Sequence, residues 1–402
     1  MMNKTELFPA TRADALRRLA AFAPHAGHDY TENRNADLGP DQRSNVSMLS
    51  PYLRHRLITE REVVATILAQ HRLAVAEKYV QEVLWRTYWK GWLEMRPVVW
   101  HRFVAERDAV RASFRGAKLL ESAVGGTTGI SGFDDWAREL VETGYLHNHA
   151  RMWFASIWIF TLQLPWTLGA DFFLRHLLDA DPASNTLSWR WVAGLQTVGK
   201  TYLATAENIA RYTQGRFAPK GLAVTAQPLV ESPIPSAFPL QERVGHNPTT
   251  PALLLVTPED LHPETAFVPD SRFNGALILS PTDVGAPRSR AFVAASAADT
   301  ATRVQAHFGC PVQTIVTLDP DVLLAACGDA GVSTIVTPYA PIGPIAHSIC
   351  AASAMLKAEG VDFIQSKRSW DARFWPFANK GFFAFKERIP SVLADELSGV
   401  HR

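Results

Sequence analysis

"EKYVQEVLWRTYWKGWLEM" (residues 77–95) carries apolar side chains at Tyr79, Val83, Leu84, Tyr88 and Trp92. That i, i+3, i+4 spacing describes one face of an α-helix. The rhythm extends in both directions. Upstream, "SPYLRHRLITEREVVATILAQHR" opens with Ser50 as an N-cap and Pro51 at the first helical position, where a missing N–H does no harm. Downstream, "GISGFDDWARELVETGYL", "NHARMWFASIWIFTLQL" and "ADFFLRHLLDAD" continue it, with Pro165 and the Trp166–Gly169 stretch breaking the run. Residues from about 50 to 215 therefore read as all-helical.

From about residue 250 the pattern changes. "PALLLVT", "GALILS", "VQTIVT" and "VSTIVTP" are short apolar runs that alternate with helical segments such as "SRAFVAASAADTATRVQAHFG" and "IAHSICAASAMLKAEG". Buried strands alternating with helices predict a doubly wound, Rossmann-like parallel sheet. Between the halves, "APKGLAVTAQPLVESPIPSAFPLQERVGHNPTTP" is rich in Pro, Ser and Gly and reads as an extended surface linker. The expected organisation is a helical domain over 1–218, a linker over 219–250 and an α/β domain over 251–402.

At 402 residues the chain can build two cores, and 47% apolar with 20% charged residues is ordinary for a globular protein. No apolar stretch has membrane-spanning length, and no secretory leader is recognisable at the start. Only Cys310, Cys327 and Cys350 occur, which excludes a disulfide framework and a four-thiolate cluster. A cytoplasmic protein with no membrane partner is expected. Net charge is +1, divided as +5 over residues 1–220 and −4 over the remainder, too small an excess to argue nucleic acid alone. Ten of the 12 tryptophans lie between Trp85 and Trp191, so the aromatic content belongs to the helical half.

Two stretches there combine polar groups with aromatic ones. "DADPASNTLSWRWVAG" (179–194) sets Asp179, Asp181 and Asn185 before Trp189 and Trp191, and so must cross from a polar site into a core. In "GYLHNHARMWFAS", Asn148 and Arg151 share a helical face beside Met152. A buried amide and guanidinium need partners, and Asp179 could serve Arg151 either as a structural salt bridge or as part of a binding site. Ser47 and Ser50 flank a predicted helix start, a plain cap or an anion site.

Taken together, four motifs resemble the flavin-binding domain of the photolyase/cryptochrome family. They are "SMLSPYL" (47–53), "EVLWRTYW" (82–89), the stretch 128–152 ending in "GYLHNHARM", and "LLDADPASNTLSWRW" (177–191). The likeness spans roughly residues 28–215. It implies FAD folded inside the helical domain. Ser47, Ser50 and Arg86 would attend the phosphates, Tyr30 resembles the loop tyrosine preceding that site, and Leu49 would also contact the cofactor; Arg151 and Asp179 would pair beside the ring, and Asn148 would line the pocket. Asp181 would hydrogen-bond the cofactor and Asn185 would face flavin N5. By the same resemblance Trp189 is the inner electron donor and Trp166 the middle one. The third position holds Phe114, so Trp100, Trp153 or Trp158 is the candidate outer member.

Glu82, Trp85 and Met152 match the positions that meet a flipped-out pyrimidine dimer. The implied activity is a deoxyribodipyrimidine photolyase-like lyase, repairing UV-damaged DNA by electron transfer from reduced FAD under blue light. The alternatives are a cryptochrome-like photoreceptor without repair and a flavin protein whose family chemistry is lost. Val46 and Thr186-Leu187-Ser188 depart from the family pattern, and the family places its α/β antenna domain before the helical one. The order here suggests a rearranged, circularly permuted chain, the alternative being an unrelated α/β domain fused behind the flavin module. A second antenna chromophore is possible in principle, and a monomer is expected.

Overall fold

The computed structural model describes residues 7–240, 248, 250–267, 271–283 and 285–398. Part of the expected linker (241–247 and 249) lies outside them. The first half is built from α1 (Arg12–Phe22), α2 (His28–Asn33), α3 (Ser50–Arg54), α4 (Glu60–Leu68), α5 (Leu73–Glu94) and α6 (Pro97–Ser113), followed by α7 (Ala117–Gly125), α8 (Phe133–Thr143), α9 (Asn148–Ser156), α10 (Trp166–His176), α11 (Pro182–Val192) and α12 (Ala206–Tyr212). The long α5 buries Tyr79, Val80, Val83, Leu84, Tyr88, Trp92 and Leu93.

Helix boundaries differ from the sequence expectation in two places. Ser50 is not an N-cap: it is the first residue of a five-residue helix whose cap is Leu49, with no side-chain cap bond. The chain then turns at Arg56, which adopts φ 49°, and a new helix starts behind Thr59 and Glu62 in a reciprocal capping box. Trp166–Gly169 does not break the helical run but forms the first turn of α10, with Pro165 as its N-cap. The interruption lies just before it, where Ile157–Thr161 winds as a π-turn and Gln163 takes φ 53°.

The second half holds a five-stranded parallel sheet in the order β3-β2-β1-β4-β5. Its strands are β1 (Ala252–Val256), β2 (Phe273–Leu279), β3 (Val312–Ile315), β4 (Thr334–Pro338) and β5 (Asp362–Ser366). Crossover helices α13 (Pro287–Phe308), α14 (Pro320–Ala330) and α15 (Pro344–Ala358) connect β2 to β3, β3 to β4 and β4 to β5. The four apolar runs became β1 to β4. The edge strand β5 carries no such run and is half-exposed over most of its length. Side-chain alternation splits β1 between two cores. Ala252, Leu254 and Val256 join the core of the helical half, while Leu253 and Leu255 face α14 and α15.

Three short helices close the described chain: α16 (Ser369–Phe374), α17 (Phe382–Lys386) and α18 (Ile389–Ser398). α16 and α17 pack back onto α5, and α18 packs on α16. A Cβ on Gly91 would stand 2.9 Å from Trp375, so only glycine permits that approach. Tyr88 Oη donates to the Lys380 carbonyl at 2.8 Å, and the Trp370 indole N–H donates to Thr87 Oγ1 at 3.0 Å. Residues 218–240 run without helix or strand over the helical half, tied down by Leu229 N–H to Ala193 O (3.0 Å) and Phe238 N–H to Met95 O (2.9 Å).

Candidate flavin site

A cavity of about 200 Å³ opens between α2, the 46–50 loop, α5 and the start of α9. Of the sequence-selected residues, Tyr30, Ser47, Leu49, Ser50, Glu82, Asn148, Arg151 and Asp179 line it. The backbone of its loop wall is unusual. Met48, buried and non-glycine, takes φ 51°, and Leu49 after it is right-handed at φ −88°, ψ −8°. Successive left- and right-handed residues turn their N–H groups into one concavity, a nest suited to an anion. A left-handed Met costs energy and persists only where the surroundings hold it.

Arg151 forms a fork on Asp179, with Nη1 at 2.9 Å and Nη2 at 2.8 Å from the two carboxylate oxygens, and its Nε donates to Leu146 O at 2.9 Å. Burial pushes Asp179 upward, but Arg151 and the Ser50 hydroxyl outweigh it and hold the carboxyl below its usual range. The Arg151 guanidinium also lies 5.4 Å from the Tyr145 ring centroid. At the mouth, Arg34 Nη1 donates to Glu82 Oε1 at 2.6 Å. Burial raises Glu82 above an ordinary glutamate despite that partner.

Arg34, Asn35, His147 and His149, which shape the mouth beside Glu82, escaped the sequence reading. His147 Nε2 donates to Arg34 O (3.0 Å) while its Nδ1 accepts the His149 N–H (3.2 Å), and His149 Nδ1 bonds Asn35 O (2.8 Å). This fixes His147 as a neutral tautomer, and burial lowers its pKa to about 4. Both histidines sit inside the quoted "GYLHNHARM". Their pairing with Arg34 and Asn35 is a contact across 113 or 114 residues that no local pattern encodes.

The other selected residues lie apart from this cavity. Asp181 caps α11 by accepting the Ser184 N–H at 2.9 Å, as Asp-Pro before a helix should. Burial opposes its charge, yet Arg86 (3.0 Å), Lys90 (3.6 Å) and Arg54 keep it well below an ordinary aspartate. Arg86 thus holds a carboxylate here. Asn185 is buried and donates its amide to Ala170 O of α10 at 2.9 Å. Met152 is half-buried on α9. Trp85 departs most from expectation. Its indole stacks on Phe382 of α17 with centroids 3.6 Å apart and planes 9° apart, so the C-terminal helix covers one of its faces.

The indoles are also rearranged. Trp189 meets Trp158 edge-to-face at 6.2 Å, and Trp158 donates its N–H to the carbonyl of Pro165, immediately before Trp166. The Trp189 ring abuts Gly169, one helical turn beyond Trp166, where a Cβ would collide with it. Trp158 is fully buried. Trp100 and Trp153 are also buried, at 7% and 0% exposure.

Residues 79–221 match the family model described as the FAD binding domain of DNA photolyase. Residues 79–221 are thus similar to the FAD-binding region of the photolyase/cryptochrome family. A deoxyribodipyrimidine photo-lyase of Streptomyces griseus is 34% identical over 170 residues, covering 42% of this chain and 36% of that one. A chloroplastic/mitochondrial cryptochrome DASH of Ostreococcus tauri is 30% identical over 231 residues, covering 54% and 41%. This chain thus spans well under half the length of these photolyase and cryptochrome relatives. Among solved structures, an archaeal photolyase of Sulfolobus tokodaii with two FAD molecules is 25% identical at TM-score 0.42, covering 51% of this chain and 44% of that one. The photolyase-type region is thus an FAD-binding domain, and no helix among the described residues is long and apolar enough to cross a membrane.

Proposed function

We propose that the protein seats FAD against the Arg151–Asp179 pair and acts as a deoxyribodipyrimidine photolyase-like enzyme, splitting UV-induced pyrimidine dimers in DNA under blue light. The observation that supports it is the joining, in one cavity, of a charge-fixed Arg–carboxylate fork and a left-handed phosphate nest. The residues suit the group: Met48 and Leu49 N–H groups with the Ser47 and Ser50 hydroxyls for phosphate oxygens, and Arg151 for an anionic ring. At about 200 Å³ the cavity is smaller than the roughly 300–1,000 Å³ usual for ligand sites. Seating a dinucleotide therefore draws the partly exposed Arg34 and Glu82 aside.

Bound FAD supplies light absorption and one-electron chemistry. The protein supplies everything else. Arg151 stays protonated at any working pH and holds positive charge where negative charge gathers. Asp179 fixes the plane of that guanidinium. Trp166, Trp158 and Trp189 form the inward route for electrons. In this reading residues 1–218 hold the cofactor, 219–250 link, and 251–402 form an antenna-like α/β domain.

The purified protein is expected to be yellow, to change its flavin spectrum under blue light, and to remove dimers from UV-irradiated oligonucleotides in light but not in darkness. A colourless protein sinks the cofactor assignment; a photoactive protein that leaves dimers intact sinks repair alone. The Phe382 stack on Trp85 favours a second reading, a cryptochrome-like photoreceptor whose lesion-facing aromatic is engaged within the chain.

A further inference from the structure

A second cavity, of about 590 Å³, opens against Trp166. Its walls are apolar where the π-turn supplies Ile159 and Phe160 and the linker supplies Leu229. Two primary amides, Gln163 and Gln227, face the same space, and Glu106 stands exposed at its rim. Local backbone strain marks the place twice. The π-turn interrupts the helix, and Gln163 is left-handed without being glycine; both are features that gather at functional sites. Glu106 lines the cavity with Trp166, and burial together with Glu231 raises its proton affinity.

We infer that this cavity is an electron-donor port: a neutral phenol or hydroquinone docks against Trp166 and restores it after each light-driven oxidation. The inference rests on the light-driven electron transfer proposed above. Phe114 stands where an outer indole would, and Trp166, itself only 4% exposed, is the indole among Trp100, Trp153, Trp158 and Trp166 that lines this cavity. The step balances simply. The phenolic O–H gives one electron to the Trp166 cation radical and its proton to the Glu106 carboxylate; the O–H bond breaks, Trp166 is neutral again, and a phenoxyl radical leaves. An aromatic donor stacks on apolar walls and the amides bond its hydroxyl, whereas the Glu106 charge repels anionic reductants.

The test uses the full chain with p-cresol as the neutral probe and ascorbate as the anionic one. In darkness, equilibrium dialysis should show saturable p-cresol binding that Thr225→Trp abolishes, since Thr225 lines the cavity from an exposed loop. Under blue light, flavin photoreduction should saturate with p-cresol in the wild type and rise only linearly in Thr225→Trp. Trp166→Phe should still bind p-cresol yet lose its acceleration. Glu106→Gln should improve ascorbate relative to p-cresol by about threefold or more. Non-saturable binding in the wild type, or binding untouched by Thr225→Trp, overturns the port. A colourless preparation counts against the cofactor reading, while the dark arm still judges the cavity.

Discussion

At the scale of single residues, Arg151 and Asp179 are the test of the site. Asp179 is almost wholly buried, and its charge is tolerated because two guanidinium N–H groups meet its two oxygens. Arg151→Ala strands that carboxylate. Breaking a buried pair by removing one partner costs about 3–5 kcal/mol, which denaturant unfolding should read directly, together with loss of bound flavin. Arg151→Lys keeps the charge but not the planar fork, and should recover part of the stability and little of the flavin. Unchanged stability in Arg151→Ala contradicts the pairing. The sequence carried this pair openly, because Asn148 and Arg151 share a helical face and an acid-rich turn follows. It could not carry the mouth, where Arg34 and Glu82 are 48 residues apart in the chain.

At the scale of elements, α5 shows what periodicity reveals and what it hides. Its apolar positions announced a helix, and the helix is there. They could not announce that its partner is α17, nearly 300 residues later, or that Phe382 covers one face of Trp85. Helix ends were hidden for a related reason. The break at Arg56 is held by buried carboxylates from Asp371 and Asp260, which a window around residue 56 does not contain. Removing the cover is informative. Phe382→Ala is expected to lower stability by about 3–5 kcal/mol through the cavity it leaves. It should also strengthen binding to UV-irradiated over undamaged DNA in a mobility-shift assay, because Trp85 gains a free face. Equal affinity for both DNAs in the variant removes Trp85 from the lesion site and supports the photoreceptor reading.

At the scale of the whole molecule, the two halves are fastened by buried charge as well as by shared apolar core. Arg54 forks onto Glu259 at 2.7 Å through both amino nitrogens and Arg56 forks onto Asp371, while within the second half Arg368 forks onto Asp260. The acids Glu259 and Asp260 come from the turn after β1, so the sheet plugs its first loop into the helical half. The layer order was legible from the switch of rhythm near residue 250. The plug was not, since "PEDLHP" reads as a plain loop. His55 sits in this joint, its Nδ1 donating to Pro258 O at 2.7 Å. Burial first, then the neighbouring Arg54 cation, lowers its pKa to about 4, against about 6.5 unfolded. Above pH 6.5 both states are neutral and the joint keeps its full strength. As pH falls from 6.5 towards 4 the unfolded chain takes up a proton that the folded one refuses, so stability declines by about 3 kcal/mol from this residue. His55→Gln, which cannot titrate, should lose correspondingly less over that interval. Urea unfolding of both proteins at pH 7, 5.5 and 4 measures the difference in slope, from which acids common to both cancel. Parallel lines mean that His55 is not the buried neutral imidazole of the joint.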